Sequence, residues 1–381
     1  MQILGILAFV VALLISVMIH EFGHYVTAKH YGMKVSEFFL GFGTRIWSYR
    51  RGETEFGIKA VPAGGYCRIE GMTPGDVMPP GEESRAFYKA TSGRKLVVLS
   101  AGSLLHFVIG YLLLFTLFVG VGTTQVLPII GEVMKKSAAA TSGIMVGDEV
   151  TSINGKKVSN WSKDVIAIRN SQGRELTLGI KRAGEDLVIT ATPTLETVDG
   201  KKRFLLGIIN KTGLHRSPVL TSVKDAGIIT KSFLVESVKS LAKLPSKIPA
   251  LWGQTVSGQT RDANGLVGIV GVARVSGQAV SSTKLSPAER FGTFILIIAS
   301  LNIFVGLFNL LPLLPLDGGH MAVAIADEIR AVLARIRGRA RPAAIDVTVL
   351  TPITMVVFVI LAALTVLLLV ADIVNPVSLN L

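Results

Sequence analysis

Cysteine is almost absent from this chain: there is one, Cys67, in 381 residues. A single thiol excludes an intrachain disulfide and a cysteine-based zinc site. Charge is scarce as well. Asp, Glu, Lys and Arg make up 17% of the residues against 50% hydrophobic ones, and the mean hydropathy is +0.54. That balance excludes an ordinary soluble domain and points to an integral membrane protein. Acid is the scarcer sign, with 26 Asp and Glu against 39 Lys and Arg, a formal net charge of +13. The basic residues flank apolar runs, and no nucleic-acid-binding motif accompanies them. The charge therefore suits the headgroups of a lipid bilayer and not nucleic acid. The amino terminus does not read as a removable signal either. Met1-Gln2 carries no side-chain positive charge, and no small-x-small site closes the apolar run that follows.

What is present is a set of four apolar stretches, each long enough to span a bilayer of about 30 Å. They lie near Ile3–His24, Leu96–Val121, Phe291–Leu314 and Val349–Val370. Arg94 and Lys95 precede the second stretch, and Arg330, Arg335, Arg337, Arg339 and Arg341 separate the third from the fourth. By the positive-inside rule these regions face the cytoplasm, which leaves both termini outside. The expected location is a cell membrane, crossed several times.

At the end of the first stretch comes His20-Glu21-Phe22-Gly23-His24. Histidines four apart on a helix face the same way and reach one metal ion. The glutamate between them is placed to act as a base toward a water. Residues 3–19 hold no charge, so this site sits at or below a membrane surface, where ionisable groups are costly and usually functional. A hydrolytic zinc site needs a third ligand and an open position. The polar end of the third stretch, from Asn309 through Leu-Leu-Pro-Leu-Leu-Pro-Leu to Asp317-Gly318-Gly319-His320, offers Asp317. Both half-sites fall at the cytoplasmic ends of their stretches, at similar depth. His320 is a weaker ligand candidate, His106 reads as a packing or hydrogen-bonding residue within the second stretch, and His30 and His215 read as surface residues.

Two soluble-looking segments interrupt the apolar pattern. After Gly41-Phe42-Gly43, residues 44–49 and 54–60 read as short strands around an Arg51-Gly52 turn, with a third strand at 65–70. Such a hairpin either lies on the cytoplasmic surface or dips into the membrane, where its open edge pairs with an extended substrate. From Val126 to Thr212 the order strand, small helix, strand, turn, helix and strands resembles a circularly permuted PDZ domain. Ser137-Ala138-Ala139, Gly143 to Val150 and Ile153-Asn154-Gly155 carry that resemblance. Leu206, Gly207 and Ile208 stand where such domains receive a peptide; the module either captures a peptide or gates the entrance by size. Beyond it, residues 219–244 read as an amphipathic helix suited to the membrane interface, ended by Pro245 and Pro249.

The histidine pair and the Asp317 segment together resemble the site-2 protease family of intramembrane zinc metalloproteases. Gly41-Phe42-Gly43, Gly64-Gly65-Tyr66, Ala101-Gly102 and the Leu-Asp-Gly-Gly-His ending agree, and the single PDZ-like insertion is similar to bacterial, actinobacterial-like members. Two departures are visible: Leu314 stands where relatives commonly carry Pro, and His106 where many carry Asn. The resemblance implies that His20, His24 and Asp317 ligate Zn²⁺, that Glu21 is general base and acid, and that Asn309 contacts substrate or the oxyanion. It implies cleavage within transmembrane segments of single-pass proteins, of the anti-sigma-factor type, or of remnant signal peptides. A metal-binding transporter or sensor is the alternative, which Glu21 and the PDZ-like insertion disfavour.

The expected fold is thus a polytopic α-helical membrane protein with four transmembrane helices, a membrane-associated β-hairpin and an inserted α+β PDZ-like domain. Residues 1–125 and 291–381 form the two halves of the membrane core. Residues 126–212 form the extracytoplasmic insertion, residues 213–290 an interfacial segment, and the catalytic residues lie near the cytoplasmic side.

Overall fold

The computed structural model describes residues 1–158, 161–198, 201–257, 259, 261–262 and 265–377. Among them, four helices are long and apolar enough to cross a membrane: Gln2–His30, Ser92–Val121, Pro287–Asn309 and Val347–Val374. Two compact units are formed, one from Met1–Gly120 with Pro218–Leu381, the other from Val121–Ser217.

In the first unit, α1 (Gln2–His30) runs well past the histidine motif, so both histidines lie inside regular helix. It is followed by β1 (Val35–Arg51) and β2 (Thr54–Ile69), which pair antiparallel. This corrects the expectation of three short strands beginning at Thr44. Gly41 and Gly43 have φ of +87° and +85°, and the chain bends there instead of ending a strand. The bend lets residues 37–40 pair on both sides, with 65–68 and with 55–58. Residues 65–69 and 45–51 are left as the outer rungs. Large apolar side chains on the hairpin stay exposed, among them Phe42, Ile46, Trp47, Tyr49, Ile58 and Val61.

An ion-pair cluster ties the hairpin turn to the end of α1. Arg85 grips the Glu53 carboxylate with two hydrogen bonds of 2.7 Å and donates from Nε to the Gly32 carbonyl at 2.9 Å. Lys29 of α1 pairs with the same carboxylate. After α2 (Ser92–Thr116) the chain enters the second unit.

That unit comprises β3 (Thr123–Val133), α3 (Ala138–Thr141), β4 (Glu149–Ile153), β5 (Lys156–Lys157), α4 (Trp161–Asp164), α5 (Ile166–Arg169), β6 (Leu176–Arg182), β7 (Glu185–Ala191), β8 (Thr194–Val198), β9 (Lys201–Leu205) and β10 (Ile208–His215). The main sheet has the order β10-β3-β4-β6-β7, with β5 on β4, and β8 pairs with β9. Ile130, Val150, Leu178 and Ile180 fill its core. The Gly147-Asp148-Glu149 motif owes its aspartate to this core. Asp148 is buried, binds Arg182 Nε and Nη2 at 2.8 Å each and accepts the Met145 N–H at 2.8 Å. The Arg182 guanidinium holds its carboxyl below the usual carboxylate value.

The first unit resumes with α6 (Val219–Ala242), α7 (Leu244–Val256), α8 (Ile269–Ser281), α9 (Pro287–Asn309), α10 (Asp317–Ile336) and α11 (Thr351–Val374). Pro245 lies in the first turn of α7, so it opens a helix there; only a proline deeper in a helix removes a needed donor. The apolar face of α6, with Ala226, Ile229 and Phe233, packs on Leu114 of α2 and on Ala299 and Ile303 of α9. Other apolar residues of α6, among them Leu220, Ile228 and Val238, stay exposed. Residues 266–271, too short for a span, lead into α8. The third span ends at Asn309 and not at Leu314, because Pro312 and Pro315 cannot continue the helix.

Because Arg85 and Lys29 depress the Glu53 carboxyl to about 2, the stabilisation it adds is full above its ordinary value near 4.5 and is lost as pH falls through about 2. Glu53→Gln is expected to lower the stability of the detergent-purified protein at neutral pH by about 1 kcal/mol, the cluster being partly exposed. Thermal unfolding should show the gap to wild type closing as pH falls through that window; a gap that stays constant would contradict the assignment.

Candidate metal centre

His20 and His24 share one face of α1, one turn apart, and both are buried. Asp317 is the first residue of α10, delivered by the turn that follows α9. Its neighbours Gly318 and Gly319 make that turn possible: a Cβ on Gly318 would come within 2.2 Å of the Leu310 carbonyl oxygen, and one on Gly319 within 2.5 Å of the Leu314 nitrogen. The helix start therefore nests under residues 310–314 and the carboxylate turns back toward α1.

The three donor atoms form a nearly equilateral triangle. His20 Nε2 and His24 Nε2 are 3.1 Å apart, and Asp317 Oδ2 is 3.2 Å from the first and 3.3 Å from the second. A tetrahedral zinc ion with ligand bonds of about 2.0–2.1 Å requires edges of about 3.3 Å. His24 Nδ1 donates to the Val98 carbonyl at 2.8 Å, so its Nε2 presents a lone pair to the centre. A lone pair facing a carboxylate oxygen at that distance calls for a cation between them. Asp317 Oδ2 is moreover buried without a hydrogen-bond donor among the described residues. The donor set therefore fits a zinc ion with three protein ligands. No other group of three ligating side chains occurs among the described residues.

The packing of α1 on α2 leaves no slack behind the histidines. A Cβ on Gly102 would stand 2.6 Å from His20 Cε1 and 2.7 Å from His24 Nε2, and one on Gly23 would stand 2.8 Å from the Ala101 carbonyl. In front of them is a cleft of about 350 Å³, lined by His20, His24, Asp317, Glu21, Leu99, Met72 and the outer rung Tyr66–Ile69 of β2. Glu21 accepts a hydrogen bond from the Cys67 backbone. The Asn309 amide nitrogen lies 3.5 Å from His20 Nε2, at the rim of the triangle.

Gly41, Phe42 and Gly43 sit at the bend of β1 and not in the cleft wall; Phe42 stacks on Tyr66, with ring centroids 5.9 Å apart, and Tyr66 lines the cleft. The residues Tyr66–Ile69 were missed by sequence reasoning. The Gly64-Gly65-Tyr66 signal pointed to them but gave no register, which the double pairing of β1 supplies. His320 lies outside the triangle, in a small recess with Met72, Lys95 and Asp327. Burial pushes its imidazole below the usual histidine value. In the second unit, Leu206, Gly207 and Ile208 line a groove of about 300 Å³ together with Trp161 of α4, Ile168 of α5 and Val165 between the two helices. β10 is an edge strand of its sheet.

The model of peptidase family M50 matches residues 8–357. The chain belongs to this family. As an M50 peptidase it resembles the zinc metalloprotease Rip1 of Mycolicibacterium smegmatis, 34% identical over 98% of each chain. The Rip1 of Mycobacterium tuberculosis is 33% identical over 100% of this chain and 99% of its own. The zinc metalloprotease RasP of Geobacillus kaustophilus is 26% identical over 86% and 90% respectively. Among solved structures, a PDZ domain of an SdrC-like protein from Listeria innocua aligns with 24% of this chain and 99% of its own, at 18% identity and a TM-score of 0.21, too slight a likeness to argue from.

Gly102→Val is expected to displace both imidazoles, since even its Cβ enters their space. Zinc affinity of the purified protein, measured by chelator competition, should fall at least tenfold, roughly the effect of disturbing a ligand's support. Helix content by circular dichroism should stay unchanged; undiminished zinc affinity would refute the packing argument.

Proposed function

We propose that this M50 peptidase is a zinc endopeptidase that hydrolyses peptide bonds inside membrane-spanning segments of single-pass proteins. The observation that carries this reading is the convergence of three metal donors and Glu21 on a cleft built into helices long enough to cross a bilayer. His20, His24 and Asp317 would hold the ion. When bound, zinc supplies Lewis acidity that polarises a peptide carbonyl and lowers the pKa of a water toward about 7.

The remaining steps belong to the chain. Glu21, beside the triangle on the same helical turn, takes the proton from the attacking water and passes it to the leaving amine nitrogen. Glu21 lines the cleft beside Cys67, so its carboxylate is within reach of a water held there. Asn309 donates its amide to the oxyanion that develops on the carbonyl. A helical substrate hides its carbonyls in its own hydrogen bonds, so it must unwind before it is cut. The outer rung Tyr66–Ile69 runs along the cleft and offers an edge for an extended strand, in place of the 44–60 edge suggested by sequence. The exposed apolar side chains of the hairpin suit a segment that dips into the bilayer.

The basic stretch from Arg330 to Arg341, the end of α10 and the residues after it, argues for a cytoplasmic position of that stretch, so both termini and the PDZ-like unit are extracytoplasmic and the cleft lies near the cytoplasmic face of the cell membrane. The groove along Leu206–Ile208 supports peptide capture by that unit through strand addition to β10. Anti-sigma-factor-type proteins and remnant signal peptides are the substrate classes that fit a cut within a single span.

Two measurements test this reading. Glu21→Gln should retain zinc and lose at least 10² to 10⁴ of its rate on a panel of single-span peptides, the range expected for a general base. Cleavage is read by mass spectrometry with and without chelator. Activity that survives the substitution, or that ignores the chelator, sinks the mechanism. Separately, Val165→Trp should fill the groove of the PDZ-like unit and weaken binding of extended peptides to the full chain at least tenfold, while leaving cleavage of a minimal span unchanged. Peptide binding that withstands the bulk would leave the unit as a size filter.

A further inference from the structure

Three buried polar side chains from three different spans meet behind the metal centre. Ser16 of α1 donates its hydroxyl to Asn302 Oδ1 of α9 at 2.5 Å, and His106 Nδ1 of α2 lies 2.9 Å from the same oxygen and 3.3 Å from Ser16 Oγ. All three are almost wholly excluded from the surface. Asn302 Nδ2 donates to the Ile298 carbonyl at 2.8 Å, which settles the orientation of the amide. An oxygen that already accepts from Ser16 can only accept from His106 as well, so the His106 proton resides on Nδ1 and Nε2 carries the lone pair.

The two zinc-site histidines are supported unequally. His24 donates its Nδ1 proton to the Val98 carbonyl, the kind of outer contact that orients a metal-ligating imidazole. His20 has its Nδ1 buried with no hydrogen-bond partner among the described residues. With Nε2 committed to the metal, that Nδ1 carries a proton in need of an acceptor. The His106 ring lies against His20, with centroids 5.0 Å apart and no hydrogen bond between them, a gap that one bridging water or a turn of either ring closes. It stands one helical turn beyond Gly102, whose missing side chain lets His20 sit against α2.

We propose that His106 is the positioning residue of His20, its Nε2 accepting the His20 Nδ1 proton through a bridging water or after a small turn of the ring, while Ser16 and Asn302 lock the His106 tautomer. The network then does for His20 what the Val98 carbonyl does for His24, and it joins the support of the ligand to three spans at once. This inference rests on the reading of His20, His24 and Asp317 as zinc ligands.

The test measures zinc affinity of the full-length protein in detergent by chelator competition. His106→Phe keeps the ring volume and removes the acceptor; its affinity should fall roughly 10- to 100-fold. His106→Gln returns an acceptor oxygen at similar reach and should recover most of that loss. Equal affinity in wild type and His106→Phe overturns the role, and so does a loss that Gln fails to restore. Should either variant not fold, nitrogen-15 spectra of the histidine-labelled, zinc-loaded wild type decide: a His106 protonated at Nδ1 and bare at Nε2 is expected, and a proton on Nε2 refutes the proposal. Wild-type protein that takes up no zinc would instead refute the metal reading on which the proposal stands.

Discussion

The centre depends on how closely α1 can approach α2. Two imidazoles and a carboxylate must meet within a triangle of 3.1 to 3.3 Å inside helices that leave little water to bridge a gap. Gly23 and Gly102 remove the side chains that would hold the helices apart: the α2 backbone lies where a Cβ on Gly23 would stand, and the two imidazoles lie where one on Gly102 would. Close packing through small residues is the usual way for helices to associate in lipid, where apolar surface by itself provides little drive. Here the same contact seats the ligands.

Around that contact the polar groups of the spans are arranged so that most of them have partners. His24 binds a helix carbonyl that α2 exposes beside Gly102, and Ser16, His106 and Asn302 satisfy one another. Asn302 turns its remaining donor to its own helix. Two buried atoms without a hydrogen-bond partner, His20 Nδ1 and Asp317 Oδ2, lie at the ligand triangle. In a low-dielectric interior an unpaired polar atom is costly, and native proteins retain such atoms where a ligand or an ion satisfies them.

Much of this was legible in residue order, and the reasons differ by element. The spans were readable because a bilayer demands about 20 apolar residues in a row, a signal independent of packing. The histidine pair was readable because helical period alone puts positions four apart on one face. Asp317 was readable as a carboxylate among apolar residues beside helix breakers, although its distance from the histidines was not. The hairpin was misread at its start. Residues 37–40 do not show the alternation that marks a strand, and the cleft-lining rung Tyr66–Ile69 followed only once their pairing on two sides was known. The face of α6 was only partly readable: an amphipathic pattern says that one side needs apolar contact, but not how much of it protein provides.

Sequence by itself determined the membrane class, the helix that carries both histidines and the chemistry of the three donors, since these depend on local period, run length and side-chain type. Tertiary structure decided that a donor from the far end of the chain closes the triangle, that β2 and not the glycine bend walls the cleft, and that His106 lies against His20. Those facts rest on the approach of segments remote in the chain. Such approaches are set by which side chains are missing at a contact as much as by which are present, and a missing side chain announces nothing about what fills its place.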